Sequence, residues 1–217
     1  MIIRTPDQRT EAWRQARCGQ LTSSRVADML RTTQAGRPAK ARVQLRTALV
    51  LERLTGQPHE RIFVSAAMQY GWAREADARA AYEAATGLVV VPTGFVAHDT
   101  LAAGCSPDGE VDGFTGVVEL KCCSSATHLE FLETSCVPRD HLIQLTHQIW
   151  VTGAQWGDYV SFDDRFPASL QLAIVRVARA ELDLRLYELN VRAFLAEVDQ
   201  ALAALQGLAD DADAGVA

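Results

Sequence analysis

The period of apolar positions changes along the chain. Up to residue 86 apolar side chains recur every three or four positions, as helices require; from 88 to 122 they come in short β-branched runs; after that the two patterns alternate. Thr10 is placed to cap a short helix over 11–17 that carries Trp13. Ser23 or Ser24 is placed to cap a second helix of about two turns that ends near Arg31. Residues 32–37 are polar, contain Gly36 and read as a loop. Pro38 suits the first position of a helix over 38–55, where Val43, Leu45, Leu49 and Leu54 recur at helical spacing and Gly56 stops it. The clearest helix is 65–86, with Ser65 as its cap, dense alanine and Gly87 at its end.

The β-branched run 88–96 predicts a strand with Pro92 at an edge or bulge, and 101–105 a second one. Pro107-Asp108-Gly109 is a turn, and 116–122 a third strand. Helices are expected over 125–134 and 139–152, and strands over 155–162 and 170–177. An amphipathic helix over 180–206 puts Leu184, Tyr187, Val191, Phe194, Val198, Leu202 and Leu205 on one stripe. Residues 209–217 read as a disordered tail. Helices, then strands, then mixed elements around one sheet predict an α/β fold, a single domain over 1–208 whose first 60 residues are a basic helical part.

Composition adds constraints. Hydrophobic residues make up 48% and charged residues 22%, an ordinary globular balance. The sequence holds no apolar run long enough to span a membrane, and its N-terminus lacks a signal-peptide core, so we expect a cytoplasmic protein. Five cysteines without a CxxC pair point to reduced thiols rather than a zinc site or disulfide framework. His98, His128, His141 and His147 have no metal-binding spacing. Net charge is −6, yet residues 1–60 carry 11 basic and 5 acidic side chains, net +6, against 10 and 22, net −12, in the rest. A phosphate-binding surface beside a carboxylate-lined metal site produces such a split, and so does an uneven surface. Lys40 and Lys121 are the two lysines among 21 basic residues. Lysine is a compact point charge where arginine is a fork, so a lysine in so arginine-biased a chain marks a position worth testing.

Lys121 falls in the most informative stretch, Ser106-Pro107-Asp108-Gly109 followed by Glu119-Leu120-Lys121. Two residues apart on a strand, Glu119 and Lys121 share a face, and Leu120 faces the core. A hairpin between 101–111 and 116–122 brings Asp108 to them. Two carboxylates, with the Leu120 carbonyl as a further oxygen, suit Mg²⁺, which lowers the pKa of a bound water and offsets phosphate charge. The ammonium then orients that water or stabilises charge on the phosphate. The competing reading is an exposed hairpin ion pair, which contributes about 0–1 kcal/mol.

PD…ExK resembles the PD-(D/E)xK nuclease superfamily, and four blocks in order resemble its phage lambda exonuclease branch, the YqaJ-like viral recombinases. They are Glu11-Ala12-Trp13 with Arg17-Cys18-Gly19-Gln20-Leu21-Thr22-Ser23-Ser24; Tyr70-Gly71-Trp72-Ala73-Arg74-Glu75-Ala76-Asp77-Ala78-Arg79 with Tyr82 and Thr86-Gly87; Cys105 to Gly109 with Glu119-Leu120-Lys121-Cys122; and Gln144 with Gln148-Ile149-Trp150-Val151-Thr152-Gly153 and Trp156. The resemblance implies a restriction-endonuclease-like core, a central mixed β-sheet flanked by helices. It implies Asp108, Glu119 and the Leu120 carbonyl as metal ligands and Lys121 as the catalytic lysine. Glu75 and Gln144 complete the site, and Arg17 and Ser24, with Thr22 as a weaker candidate, bind a terminal 5′-phosphate. Without the family pattern, Glu75 reads as a solvated helix glutamate, Gln144 as a surface glutamine, Arg17 as a surface arginine and Ser24 as an ordinary cap.

The activity implied is a Mg²⁺-dependent 5′→3′ exonuclease on double-stranded DNA ends, with two ions and Mn²⁺ able to substitute. A ring-shaped homotrimer, a single-strand annealing partner, a role in phage recombination and a phage or prophage origin in a bacterial host are implied with it. An endonuclease of the same superfamily and a non-catalytic DNA-binding module are the alternatives. Cys123 stands where the family often has proline, which predicts a changed strand exit. Trp72, Trp150 and Trp156 are expected in the core, as is Trp13, which is also the tryptophan to test for DNA contact.

Overall fold

The computed structural model describes residues 7–59 and 65–214. Side-chain caps or glycines mark many of the helix ends. Helix α1 (Glu11–Arg17) has Thr10 at its N-cap, its hydroxyl accepting from the Trp13 N–H. A two-residue strand, β1 (Leu21–Thr22), comes next. Helix α2 (Val26–Met29) is one turn rather than two and has no side-chain cap, because the Ser24 hydroxyl lies against Arg17 instead. Helix α3 (Lys40–Thr55) ends at Gly56, and α4 (Ala66–Thr86), capped by Ser65, ends at Gly87. Both glycines are left-handed, with φ of 65° and 71°, where a side chain costs energy.

The expected strand over 88–96 is mostly extended chain. It makes a single bridge, Val91 with Glu110, and only Val96–Ala97 forms a strand, β2. Pro92 has no N–H to donate, the Val90 N–H goes to the Glu83 carboxylate, and the Thr93 hydroxyl to the Pro107 carbonyl. The remaining strands are β3 (Ala103–Cys105), β4 (Gly109–Val111), β5 (Gly116–Lys121), β6 (Trp156–Phe162) and β7 (Leu172–Ala178). The remaining helices are α5 (Ser125–Thr134), α6 (Arg139–Thr152) and α7 (Leu184–Ala214). Residues 209–214, expected in a tail, continue α7, as an alanine-rich stretch favours; 215–217 lie outside the described residues.

The strands form two mixed sheets, β1-β3-β2 and β4-β5-β6-β7, rather than the one expected. The chain between β3 and β4 runs through Pro107, which cannot donate and whose carbonyl is taken by Thr93 and by Gln8 at 2.7 and 2.8 Å. A ladder cannot continue across that point. The hairpin is therefore β4–β5, with Gly109 opposite Val118 and Val111 opposite Gly116. Strands β5 and β6 are parallel, and α5 and α6 supply the crossover that such a pair needs.

Alternation along β5 sets the layers. Val118 and Leu120 pack with Ala78 and Tyr82 of α4. Val117 faces the other way and packs with Phe131 of α5 and Leu145 and Ile149 of α6. The four-stranded sheet is thus sandwiched between α4 and α5–α6. A further cluster joins α2, α3, Trp150 of α6 and the Tyr187, Val191, Phe194 and Val198 stripe of α7. Leu205, expected on that stripe, is exposed. Among the described residues no helix is long and apolar enough to cross a membrane.

Candidate active site

Because Val117 faces α6, so do Glu119 and Lys121, two and four positions on. Glu119 is buried, 2% exposed, at the end of β5. Its carboxylate accepts from three donors: Lys121 Nζ and Gln144 Nε2 on Oε1, and Gln148 Nε2 on Oε2. Gln144 and Gln148 are four apart on α6 and so present one face to the strand. Burial opposes the Lys121 ammonium, but Glu119 and Asp108 outweigh it and hold its pKa above the ordinary lysine range.

Asp108 stands just before β4. Its Oδ2 accepts from the Leu120 N–H at 2.7 Å, which closes the turn onto β5 one residue past Glu119. A strand residue sends its carbonyl out on the same side as its N–H, so the Leu120 carbonyl faces this edge too. The Leu120 side chain is buried on the opposite face, as expected. Burial pushes the Asp108 carboxyl up to about 8, and Glu119 and Glu75 push in the same direction against Lys121 and the Leu120 N–H. Carboxylates so placed call for a cation between them.

Glu75 reaches the same region from α4 but is held by arginines. Arg9 Nη2 donates to Oε2, and Arg79 Nη2 donates to Oε1 at 3.3 Å and to the Asp108 carbonyl at 3.5 Å. Arg9 also lies over the Trp72 ring, 5.0 Å from its centre. Its backbone has φ 71°, a left-handed conformation that costs a residue with a side chain about 1–2 kcal/mol. The Arg9–Glu75 pair, with side chains 42% and 24% exposed, returns about 0–1 kcal/mol at most.

The 5′-phosphate candidates also converge. Arg17 Nη2 donates to Ser24 Oγ at 3.1 Å and to Thr22 Oγ1 at 3.5 Å, and the two hydroxyls are 3.3 Å apart. Arg14, Cys18, Arg25 and Glu52 line a pocket with Arg17 and Thr22. Glu52, 2% exposed, accepts from Arg25 at 3.0 Å and from the Gly19 N–H at 2.8 Å. Trp13 connects this pocket to the carboxylates. Arg17 lies 4.0 Å from the centre of its ring, and its indole N–H donates to Ser106 Oγ at 2.9 Å, two residues before Asp108.

Asp108, Glu119 and the Leu120 carbonyl make an all-oxygen set of the kind Mg²⁺ takes, one or two carboxylates with water and phosphate filling the rest. Gln148 donates its Nε2 to Glu119, and its buried Oε1 has no hydrogen-bond partner. The residues therefore fit the ion. Among the described residues no three His, Cys, Asp or Glu side chains are grouped to hold a metal, and Glu75 is paired with Arg9 and Arg79. Of the four histidines that lacked metal spacing, His128 and His147 are fully buried in hydrogen bonds and His98 stacks on Trp150, while His141 bonds Tyr159 and feels the charges of Lys121 and Glu119. All five cysteines are free.

Gln148, Arg79, Arg9 and Glu52 were not singled out from sequence. Gln148 had a readable signal, its four-residue spacing from Gln144; the other three depend on contacts between distant segments. Trp72 differs from expectation: it is 37% exposed rather than in the core.

A β-hairpin that carries PD before one strand and ExK along the next, with a helix on each face of the sheet, defines the PD-(D/E)xK nuclease class. The YqaJ-like viral recombinase domain matches residues 12–155, and the chain belongs to that family. Among solved structures it is similar to the alkaline exonuclease LHK-Exo from Laribacter hongkongensis, with 38% identity and a TM-score of 0.83 over 93% of this chain and 99% of that one. The same figures hold for LHK-Exo in complex with dAMP. A phage-related exonuclease from Haemophilus somnus 129PT shares the fold at 14% identity and a TM-score of 0.62, over 86% of this chain and 96% of that one. No curated protein matches the chain.

Proposed function

We propose that the chain is a Mg²⁺-dependent exonuclease that degrades linear double-stranded DNA from its 5′ ends, releasing 5′-mononucleotides and leaving a 3′ single strand. The observation that carries this reading is the pair of linked pockets. Carboxylates with one ammonium stand at one end of the Trp13 indole, and an arginine–hydroxyl pocket stands at the other. The 38% identical relative, an alkaline exonuclease, supports it.

Asp108, Glu119 and the Leu120 carbonyl would hold the metal, two ions in the full site, with Mn²⁺ able to replace Mg²⁺. Bound there, the metal offsets phosphate charge and lowers the pKa of a water. Lys121, paired with Glu119, would orient the attacking water or stabilise the charge that develops on the phosphate. Gln144 and Gln148 fix the Glu119 carboxylate against rotation, and Glu75 acts from α4 as a further acidic group. Arg17, Ser24 and Thr22 take the terminal 5′-phosphate, where an arginine fork matches phosphate oxygens.

In keeping with the family, the enzyme acts in phage-type homologous recombination in the cytoplasm of a bacterial host, beside a single-strand annealing protein, as a homotrimeric ring around DNA. Digestion of linear against closed circular duplex with Mg²⁺ tests the activity. Release from the linear form alone is expected, and cutting of the circle would replace this reading by an endonuclease. Comparing 5′-phosphorylated with 5′-hydroxyl ends tests the pocket: faster release from phosphorylated ends is expected, and equal rates would show that Arg17 does not recognise the terminal phosphate.

A further inference from the structure

We propose that Arg9 is a DNA-phosphate contact at the rim of the nuclease site, aimed by Trp72 as a positioning residue. The proposal rests on the nuclease reading.

Residues 8 and 9 are pinned to the site from two sides. Gln8 Nε2 donates to the Pro107 carbonyl at 2.8 Å, directly before Asp108, and to the Thr93 carbonyl at 3.1 Å. Arg9 meets Glu75, whose other oxygen is bonded by Arg79, and Arg79 in turn reaches the Asp108 carbonyl. The guanidinium is therefore one side chain away from the groups around Asp108.

The cations nearest the carboxylates are committed inward. Lys121 is paired with Glu119 and 24% exposed, and Arg79 is paired with Glu75 and 22% exposed. Arg9 is 42% exposed. A guanidinium carries five N–H donors, and Glu75 engages Nη2, so its fork can meet a phosphate while the pair persists. Trp72 is exposed and underlies the guanidinium, which restricts where it points.

The backbone gives the independent argument. At φ 71° a glycine would make this turn at no steric cost. Arginine makes it against a penalty that its half-exposed ion pair does not clearly offset. Left-handed residues with side chains cluster where function requires the side chain.

Arg9→Gly is thus an informative variant, because it removes the guanidinium and relieves the backbone together. Binding of a fluorescent 5′-phosphorylated linear duplex, measured without divalent metal over a range of salt, reads the contact. The expected result for Arg9→Gly is an affinity about ten-fold lower, with the slope of log K against log salt smaller by about one. Its Tm should be equal to or above that of the unaltered protein. Arg9→Lys should restore the slope without the full affinity, since it keeps the charge and loses the fork. Trp72→Ala should weaken binding and leave the slope, because the charge remains. Unchanged affinity and slope in Arg9→Gly overturn the proposal, and so does a fall in affinity accompanied by a lower Tm, which would make Arg9 a structural clamp. Nucleotide release by the unaltered protein with Mg²⁺ is measured separately: its absence counts against the nuclease reading, while the salt slope still decides the role of Arg9.

Discussion

Glu119 is a carboxylate taken almost completely out of water, and three donors from two elements compensate it. Lys121 is the charged one among them, which makes it the residue whose removal touches chemistry most. Lys121→Ala is expected to lower nucleotide release from 5′-phosphorylated duplex by about 10²–10³-fold, as loss of one transition-state donor does. A folded variant that keeps its rate would show that the ammonium only neutralises Glu119. His147 makes a different residue-scale prediction. It is fully buried, with Nδ1 2.7 Å from the Tyr187 hydroxyl and Nε2 3.1 Å from the Gly104 carbonyl, and burial lowers its pKa to about 4. The unfolded chain protonates this histidine near 6.5, the folded one near 4. Between those values the unfolded state binds more protons, so stability is complete above about pH 6.5 and falls as pH drops toward 4, by on the order of 3 kcal/mol. Urea midpoints at pH 7 and pH 5 check this. His147→Gln should show less acid loss than the unaltered protein; an equal loss would assign it to other groups.

Strand β5 carries both the site and the packing that holds it. Its first residue, Gly116, lies opposite Trp156, and a Cβ there would come within 2.2 Å of the Trp156 ring. That ring supports Arg176 at 3.6 Å, which bonds Asp158 through two nitrogens at 2.8 Å each; Asp158 also accepts from the Tyr82 hydroxyl of α4. Gly116→Ala therefore pushes on a network tying β6, β7 and α4 together, and should cost about 1–3 kcal/mol in thermal or urea unfolding. An unchanged midpoint would mean that Trp156 moves aside freely. The elements themselves were partly legible. Helices α3, α4 and α6 end at Gly56, Gly87 and Gly153, all left-handed, so local chemistry marks them. Strand 88–96 was over-read because β-branched residues report a preference for extended chain, not the presence of a partner. The division into two sheets was invisible for the same reason: it depends on Gln8 and Thr93 capturing the Pro107 carbonyl from 99 and 14 residues away. Within the site, the ExK spacing announced the shared face of Glu119 and Lys121, whereas Glu75 in the grip of two arginines could not be read from α4 alone.

At the scale of the molecule, the basic first 60 residues contribute Arg9, Arg17 and Arg25, all placed at the two pockets. The charge split thus marks where cations are gathered, although the chain as a whole is acidic. Among the described residues helix α7 supplies no side chain to the site, yet it closes the cluster under α6 with Tyr187, Val191, Phe194 and Val198. Phe194, fully buried, is the largest wholly apolar side chain among these. Phe194→Ala should cost about 3–5 kcal/mol, and nuclease activity should fall with the folded fraction rather than through KM. Activity lost while the chain remains folded would point to a direct role for α7. Sedimentation of the intact protein at three times the chain mass is expected for a ring, and a monomer at working concentration would exclude it.

The seat that α7 makes for α6 has a bearing on how the protein comes into being. Every acidic residue of the nuclease site is translated before α7, but Gln144 and Gln148, which hold Glu119 in place, lie on a helix whose inner face rests on α7. The order of synthesis thus places the acidic residues first and the support for α6 last. A chain cut short before residue 198 is therefore expected to keep every acidic residue of the site and to lose nucleotide release; a truncated chain that stays folded and active would show that α6 holds its place without α7.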